Sequence, residues 1–232
     1  MPEPQDSTTA RYQGEAGRAY HEKKRGIPAV AVQWVSRSRA RKIRPYVMPN
    51  DVVFEYGAGY GWNLASLNCA RRIAFEIAES THESLRELRV ELCASPNSLP
   101  AESIDVVICH HTLEHLLEPS QALKEMRRLL KSEGKLLLFV PYEKEGRYRN
   151  YNPEEPNHHL YSWNVQTLGN LVQDCGFRLV EGRLAKFRFD RFAAQRAVQT
   201  RTGEIGFKLI RAIGLRIQPE FEVIVIATKK PI

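Results

Sequence analysis

Long apolar runs are missing from this sequence. None approaches the roughly eighteen residues that a membrane-crossing helix needs, so no transmembrane segment is expected. The opening stretch MPEPQDSTTARYQGEAGRAY also lacks the basic-then-apolar order of a secretory leader. Cysteine is scarce, and the four present, Cys69, Cys93, Cys109 and Cys175, are too widely spaced for a CxxC redox pair or a zinc knuckle. They are expected as buried free thiols in a reducing compartment, which makes the cytoplasm the expected location. Internal repeats and low-complexity tracts are absent too. What is present suits a globular protein: 43% hydrophobic and 26% charged residues in 232 give one substantial core with attachments, and a largely disordered chain is excluded.

The net charge of +7 is unevenly spread. Residues 1–50 carry ten Lys/Arg against four Asp/Glu, and residues 184–218 carry eight against two, so two basic segments flank a mildly acidic centre. Nucleic acid, anionic lipid and acidic substrates are all attracted by such a pattern, and charge alone does not choose among them.

The first fifteen or so residues are polar and proline-bearing and are expected to fray. A helix is expected from Pro28 to about Lys42, and Pro45 and Pro49 frame the turn after it. Thereafter short apolar runs alternate with helix-like segments. Val52–Tyr56, Ile73–Ala78, Leu88–Cys93, Ile104–Cys109 and Lys135–Val140 read as strands, and Trp62–Ala70, Thr81–Arg86, Pro119–Leu130 and Asn164–Cys175 as helices. That order implies parallel strands with helical crossovers, and the apolar character of the strand runs implies helices on both faces. Phe177–Glu181 and Glu222–Thr228 read as two further strands. The basic segment 184–218 between them, with helices near Arg188–Thr200 and Glu204–Arg216, is an insertion suited to capping a site.

The clearest chemical signal is VVFEYGAGYGWNL, residues 52–64. Gly57, Gly59 and Gly61 follow an apolar strand, where missing side chains allow a tight turn and close ligand approach. Glu55 stands two residues before the first glycine. Near the end of the next strand Glu76, 19 residues after Gly57, is placed to accept hydrogen bonds from both hydroxyls of a ribose. A dinucleotide loop normally reads GxGxxG, and neither Trp62 nor Asn63 supplies its third glycine. A charged Glu55 would repel pyrophosphate and suit a ligand ammonium. The balance favours a nucleoside with a cationic amino-acid tail over NAD.

With these residues the sequence resembles the class I S-adenosylmethionine-dependent methyltransferases of the broad small-molecule type. The resemblance continues through Leu99-Pro100, Asp105, the triplet Leu113-Glu114-His115 and Glu125 to Gly134, and covers roughly residues 50–182. It implies an α/β, doubly wound, Rossmann-like fold: a seven-stranded, mostly parallel sheet in the order 3-2-1-4-5-7-6. Residues 1–45 would be an N-terminal extension, helical after about residue 28, and 46–232 the cofactor-binding domain with its insertion at 184–218. It implies further that Glu55, Gly57, Gly59 and Gly61 surround the methionine part of S-adenosylmethionine and that Glu76 holds its ribose. Tyr60 and His110 are further cofactor-contact candidates, and residues around Ser95 and Asn97 would approach adenine. The family often has an aspartate where Ser95 stands here, so adenine recognition would fall to a hydroxyl or a backbone group.

In an open parallel sheet ligands gather beyond the carboxyl ends of the strands, which makes CHHTLEH (109–115) and residues 141–163 the informative loops. His111 is the leading general-base candidate, required only if the acceptor arrives protonated, and His158 is the second. Tyr142, Tyr148, Tyr151, Tyr161 and Trp163 are candidates for an aromatic wall. No compact ligand spacing raises a metal site, and a grouping of His158 or His159 with Glu154 or Glu155 and the first histidines is the weak exception. The expected partner is a small-molecule methyl acceptor with an oxygen, nitrogen or carbon nucleophile, S-adenosylhomocysteine being the product. A homodimer face on the insertion is open, while nucleic acid or a membrane surface is less favoured. Methylation of RNA or protein, a non-catalytic scaffold and an NAD-linked oxidoreductase stay open as alternatives.

Overall fold

The computed structural model describes residues 7–143, 149–153, 155 and 157–230. Among them the apolar runs pair into one seven-stranded sheet: β1 (Val52–Tyr56), β2 (Arg71–Phe75), β3 (Glu91–Leu92), β4 (Ile104–His110), β5 (Leu130–Tyr142), β6 (Phe177–Phe187) and β7 (Glu220–Lys229). Their order is β3-β2-β1-β4-β5-β7-β6, the expected 3-2-1-4-5-7-6. The pairs from β3 to β5 are parallel, and β7 runs antiparallel between β5 and β6. Both faces are covered, so central strands are apolar throughout: Val106, Val107 and Ile108 are fully buried, as are Leu136 to Val140.

The helices are α1 (Ser7–Tyr12), α2 (Gly14–Arg25), α3 (Ala29–Ala40), α4 (His82–Glu87), α5 (Pro119–Leu129), α6 (Val165–Asp174), α7 (Asp190–Gln199) and α8 (Gly203–Ile217). α5 buries Leu123, Met126 and Leu129 against the sheet. α6 opens with a capping box between Asn164 and Thr167. None of the described helices is long and apolar enough to cross a membrane.

Four expectations are corrected. Residues 62–66 form turns and 67–70 are irregular, with no regular helix: only Ala65 bonds back four residues, to Gly61, whereas Leu64 and Leu67 bond back three, to Gly61 and Leu64, so no α-helical ladder builds up. Only Glu91–Leu92 pairs within the expected strand Leu88–Cys93, because α4 ends in a Schellman turn with Arg89 at φ 56° and the Val90 N–H bonded to the Leu85 carbonyl. The N-terminal extension is helical from Ser7, with the Tyr12 hydroxyl bonded to the Asn157 carbonyl. Of the four free thiols Cys109 and Cys175 are buried, whereas Cys69 and Cys93 are only partly so.

The extension and the insertion meet. Ala31 and Val35 of α3 pack with Ala193, Ala194 and Ala197 of α7 and Phe207 of α8, and Tyr60 and Trp62 of the glycine loop join them. Arg37 pairs with Glu204 at 2.6 Å and Arg39 with Asp190 at 3.3 Å. Together these helices roof the carboxyl end of the sheet, and α8 turns Ile205, Leu209, Ile213 and Ile217 outward to solvent.

Candidate functional site

The carboxyl ends of β1 and β2 shape the first half of the site. Gly57, Gly59 and Gly61 have φ of 76°, 53° and 74°, a region that side-chain-bearing residues rarely adopt. A Cβ on Gly57 would collide with Thr112, and one on Gly61 with Leu85, so the back of the loop is packed. On Gly59 a Cβ would meet nothing nearer than His21 at 3.7 Å, so the front is open. The Gly57 and Ala58 amides bond to the Phe75 carbonyl, tying the loop to the end of β2. Glu76 follows at once, its carboxylate accepting from the Gly59 N–H at 2.6 Å and the Ala78 N–H at 2.8 Å. Burial raises its pKa, and those amides work in the opposite direction.

This corner opens into a cavity of about 890 Å³, within the size range of small-molecule sites. Gly57, Gly59, Tyr60, Glu76, His110 and His111 all line it. Its aromatic lining comes from Tyr12, Tyr20, Tyr56, Tyr60, Trp62, Phe75 and Phe187, and not from the loop expected to supply it. Tyr151 is 92% exposed, Tyr161 stacks on Trp163 at 5.4 Å away from the cavity, Tyr142 packs against the core, and Tyr148 lies outside the described residues.

Five more proposed site residues stand elsewhere. Gly61 packs against Leu85 at the back of the loop and does not line the cavity. Glu55 is fully buried behind the loop, where it accepts from Asn63 Nδ2 at 2.5 Å, and Asn63 lines the cavity in its place. Ser95 and Asn97 belong to a short 3₁₀ turn in which the Ser95 hydroxyl accepts from the Asn97 amide; Arg128 holds this turn from behind through the Pro96 and Leu99 carbonyls, and neither residue borders the cavity. His158 is not at the cavity wall, because its N–H and that of Asn157 fold back onto the Glu155 carboxylate. Glu154 lies outside the described residues.

Glu55 carries a prediction. Burial pushes its pKa from 4.5 up to about 8, with the Asn63 amide opposing. The protonated form therefore suits the fold, so the contribution to stability is complete below 4.5 and is lost as pH rises through about 8. Glu55→Gln keeps an acceptor for Asn63 and is expected to unfold at a higher temperature than the parent near pH 9 while matching it near pH 5. Thermal unfolding across that range checks this.

The second half of the site joins distant parts of the chain. At the end of β4, His111 takes φ 53°, which breaks the alternation of strand side chains and stacks its ring on that of His110, centroids 4.4 Å apart and planes 14° apart. Lys42, just beyond α3, places Nζ 2.9 Å from His110 Nε2 and 2.6 and 2.8 Å from the two oxygens of Glu222 at the start of β7. His111 Nε2 is 3.3 Å from Glu222 Oε2. Burial, with Lys42 and His111 adding to it, drives the His110 pKa well down, so His110 is neutral and accepts from the Lys42 ammonium. Burial works to raise the Glu222 pKa, but the His111 hydrogen bond and the Lys42 charge prevail and hold it at about 2.

Sequence reasoning missed Lys42 and Glu222. The signal available for Glu222 was an acid at the head of the apolar run VIVIA, whereas Lys42 is one of ten basic residues in the first fifty and carries no distinguishing mark. Seven Arg/Lys line the cavity, Arg39, Arg41, Lys42, Arg183, Lys186, Arg188 and Arg211, against the acids Glu76, Asp190 and Glu222.

Residues 54–138 match the family model described as a methyltransferase domain. A Mycobacterium tuberculosis protein described as a "Probable S-adenosylmethionine-dependent methyltransferase" is 29% identical over 167 residues, 66% of this chain and 59% of that protein. A similarly described Mycolicibacterium smegmatis protein is 31% identical over 139 residues, 56% of this chain and 52% of its own length. The chain thus spans somewhat more than half the length of these curated relatives. Among solved structures, a Thermotoga maritima SAM-dependent methyltransferase superposes with a TM-score of 0.66 at 19% identity, over 96% of this chain and all of that one. A Haemonchus contortus phosphoethanolamine N-methyltransferase, in complex with S-adenosyl-L-methionine, gives 0.58 at 13% identity, over 84% of this chain and 53% of that one. Strand order, matched segment and relatives agree that this chain has the fold of the class I S-adenosylmethionine-dependent methyltransferases.

Proposed function

We propose that the protein transfers a methyl group from S-adenosylmethionine to a small acceptor bearing a negative charge. The observation that carries the reading is the convergence of the open front of the glycine loop and the Glu76 carboxylate on one cavity whose far wall is basic. Glu76 would hold the ribose hydroxyls, and Gly59 with Tyr60 and Asn63 would border the amino-acid part. When bound, the cofactor supplies an electrophilic methyl group on a sulfonium.

The rest of the work falls to positioning. The roof made by α3, α7 and α8 excludes water, and among the described residues Arg41 and Lys186 have no carboxylate within ion-pair distance, which leaves two cations for an acceptor carboxylate or phosphate. Where the acceptor arrives protonated, His111 is the base: with Nε2–H directed at Glu222, Nδ1 takes the proton and the carboxylate stabilises the imidazolium.

Calorimetric titration with S-adenosylmethionine, S-adenosylhomocysteine and NAD tests the donor half. Saturable binding of both sulfur nucleosides without NAD is expected, and folded protein that binds neither would sink the reading. For the acceptor half, transfer of labelled methyl groups should favour carboxylate- or phosphate-bearing compounds over neutral analogues; equal rates would remove the charge requirement.

A further inference from the structure

The turn after β4 and the loop ahead of α6 bring three side chains of metal-ligand type together. Glu114, His115 and His159 each offer a ligand atom, and these atoms all lie within 4.8 Å of one another. Glu114 is 1% exposed and His115 8%. His115 Nε2 is 3.8 Å from Glu114 Oε1, and the two imidazole centroids are 4.9 Å apart.

What lies behind the two rings sets their tautomers. Tyr12 donates its single hydroxyl proton to the Asn157 carbonyl at 2.9 Å, so its oxygen accepts from His115 Nδ1–H at 2.8 Å. The lone pair of neutral His115 is then on Nε2, the atom turned toward Glu114. His159 Nδ1 stands 2.6 Å from Glu143 Oε1; a carboxylate only accepts, so this nitrogen carries the proton and the lone pair again resides on Nε2. An oxygen acceptor behind Nδ1 is the usual support of a metal-binding imidazole. Two such rings beside a buried carboxylate go beyond what a packed turn requires.

We infer that Glu114, His115 and His159 bind a divalent transition ion of the zinc type, with Tyr12 and Glu143 orienting the two histidines. Two imidazoles and one carboxylate suit zinc and leave a fourth position for a small ligand. Donors around a tetrahedral ion stand roughly 3.3 Å apart at zinc bond lengths, so the three side chains need close only slightly. His115 lines the cavity, which puts the ion in the cavity wall. The rival group His110, His111 and Glu222 also falls within 4.8 Å, but there the Lys42 ammonium already takes the cation's place.

The inference goes beyond the methyl-transfer reading and is tested without the nucleoside. Chelator-treated full chain is dialysed against Zn²⁺ and titrated with Co²⁺, metal content and the visible cobalt spectrum being the readouts. One equivalent is expected, with affinity reduced at least tenfold in His159→Ala and Glu114→Gln and about tenfold in Tyr12→Phe, and unchanged in His111→Ala. Far-UV circular dichroism establishes that each variant is folded, and Tyr12→Phe removes only a hydroxyl. No uptake by the parent, or parental affinity in both His159→Ala and Tyr12→Phe, overturns the site; so does loss confined to His111→Ala. A chain that takes up metal without binding S-adenosylhomocysteine contradicts the methyl-transfer reading alone, and the converse contradicts the metal site alone.

Discussion

Glu76→Ala is expected to weaken S-adenosylmethionine and S-adenosylhomocysteine binding by about a hundredfold. The carboxylate is at the cavity and already oriented by the Gly59 and Ala78 amides, so its remaining lone pairs meet both ribose hydroxyls at little cost in ordering. Each hydrogen bond to a charged group is worth about 1.5–3 kcal/mol, and about 1.4 kcal/mol is a factor of ten in affinity. Losing two such bonds therefore removes at least two decades. Glu76→Gln, which keeps one acceptor oxygen, should fall between, near tenfold. Calorimetry on both variants decides, and a parental isotherm in Glu76→Ala would remove Glu76 from the donor site.

The other large effect concerns stability. Glu222→Leu leaves the Lys42 ammonium largely buried without its counter-charge, and breaking such a pair from one side costs about 3–5 kcal/mol. For a domain of this size that lowers Tm by roughly 10 °C. The double change Lys42→Met with Glu222→Leu should recover most of the loss, since an apolar pair removes the uncompensated charge. Acid titration carries the same information. The Glu222 pKa is depressed from 4.5 to about 2, so its stabilisation is complete above 4.5 and disappears as pH falls through about 2. The parent should thus lose stability below pH 4.5 more steeply than the double variant. Similar acid profiles, or a single variant as stable as the parent, would show the ion pair to be energetically idle.

These two residues mark the boundary of what the sequence made legible. Glu76 was readable because its chemistry is local: an apolar run, three glycines at short spacing and an acid at the end of the next run all lie within 25 residues. The sheet was readable for the same reason, most of its strands being short apolar runs. Lys42 and Glu222 meet across 180 residues and Tyr12 meets His115 across 103, so no local pattern announces either contact. The polar α1 read as frayed and α2 went unassigned because Tyr12 and Tyr20 meet the ring of His115, which belongs to another part of the chain. Residues 62–70 misled in the other direction: their composition admits a helix, but Leu64 and Leu67 bond back only three residues and no continuous α-helical ladder forms.

The antiparallel β7 also closes two strand edges at once. Among the described residues β6 pairs with β7 alone, and β7 fills the edge of β5 that β4 leaves open. While the chain is being synthesised, β5 keeps an open edge and the α7–α8 roof hangs from a strand with no place in the sheet. An unpaired edge is where chains stick to one another, so molecules cut short before Glu220 should aggregate rather than fold into a smaller version of the domain. The strand that seals that edge also brings Glu222 to Lys42, so one element completes both the sheet and the cavity.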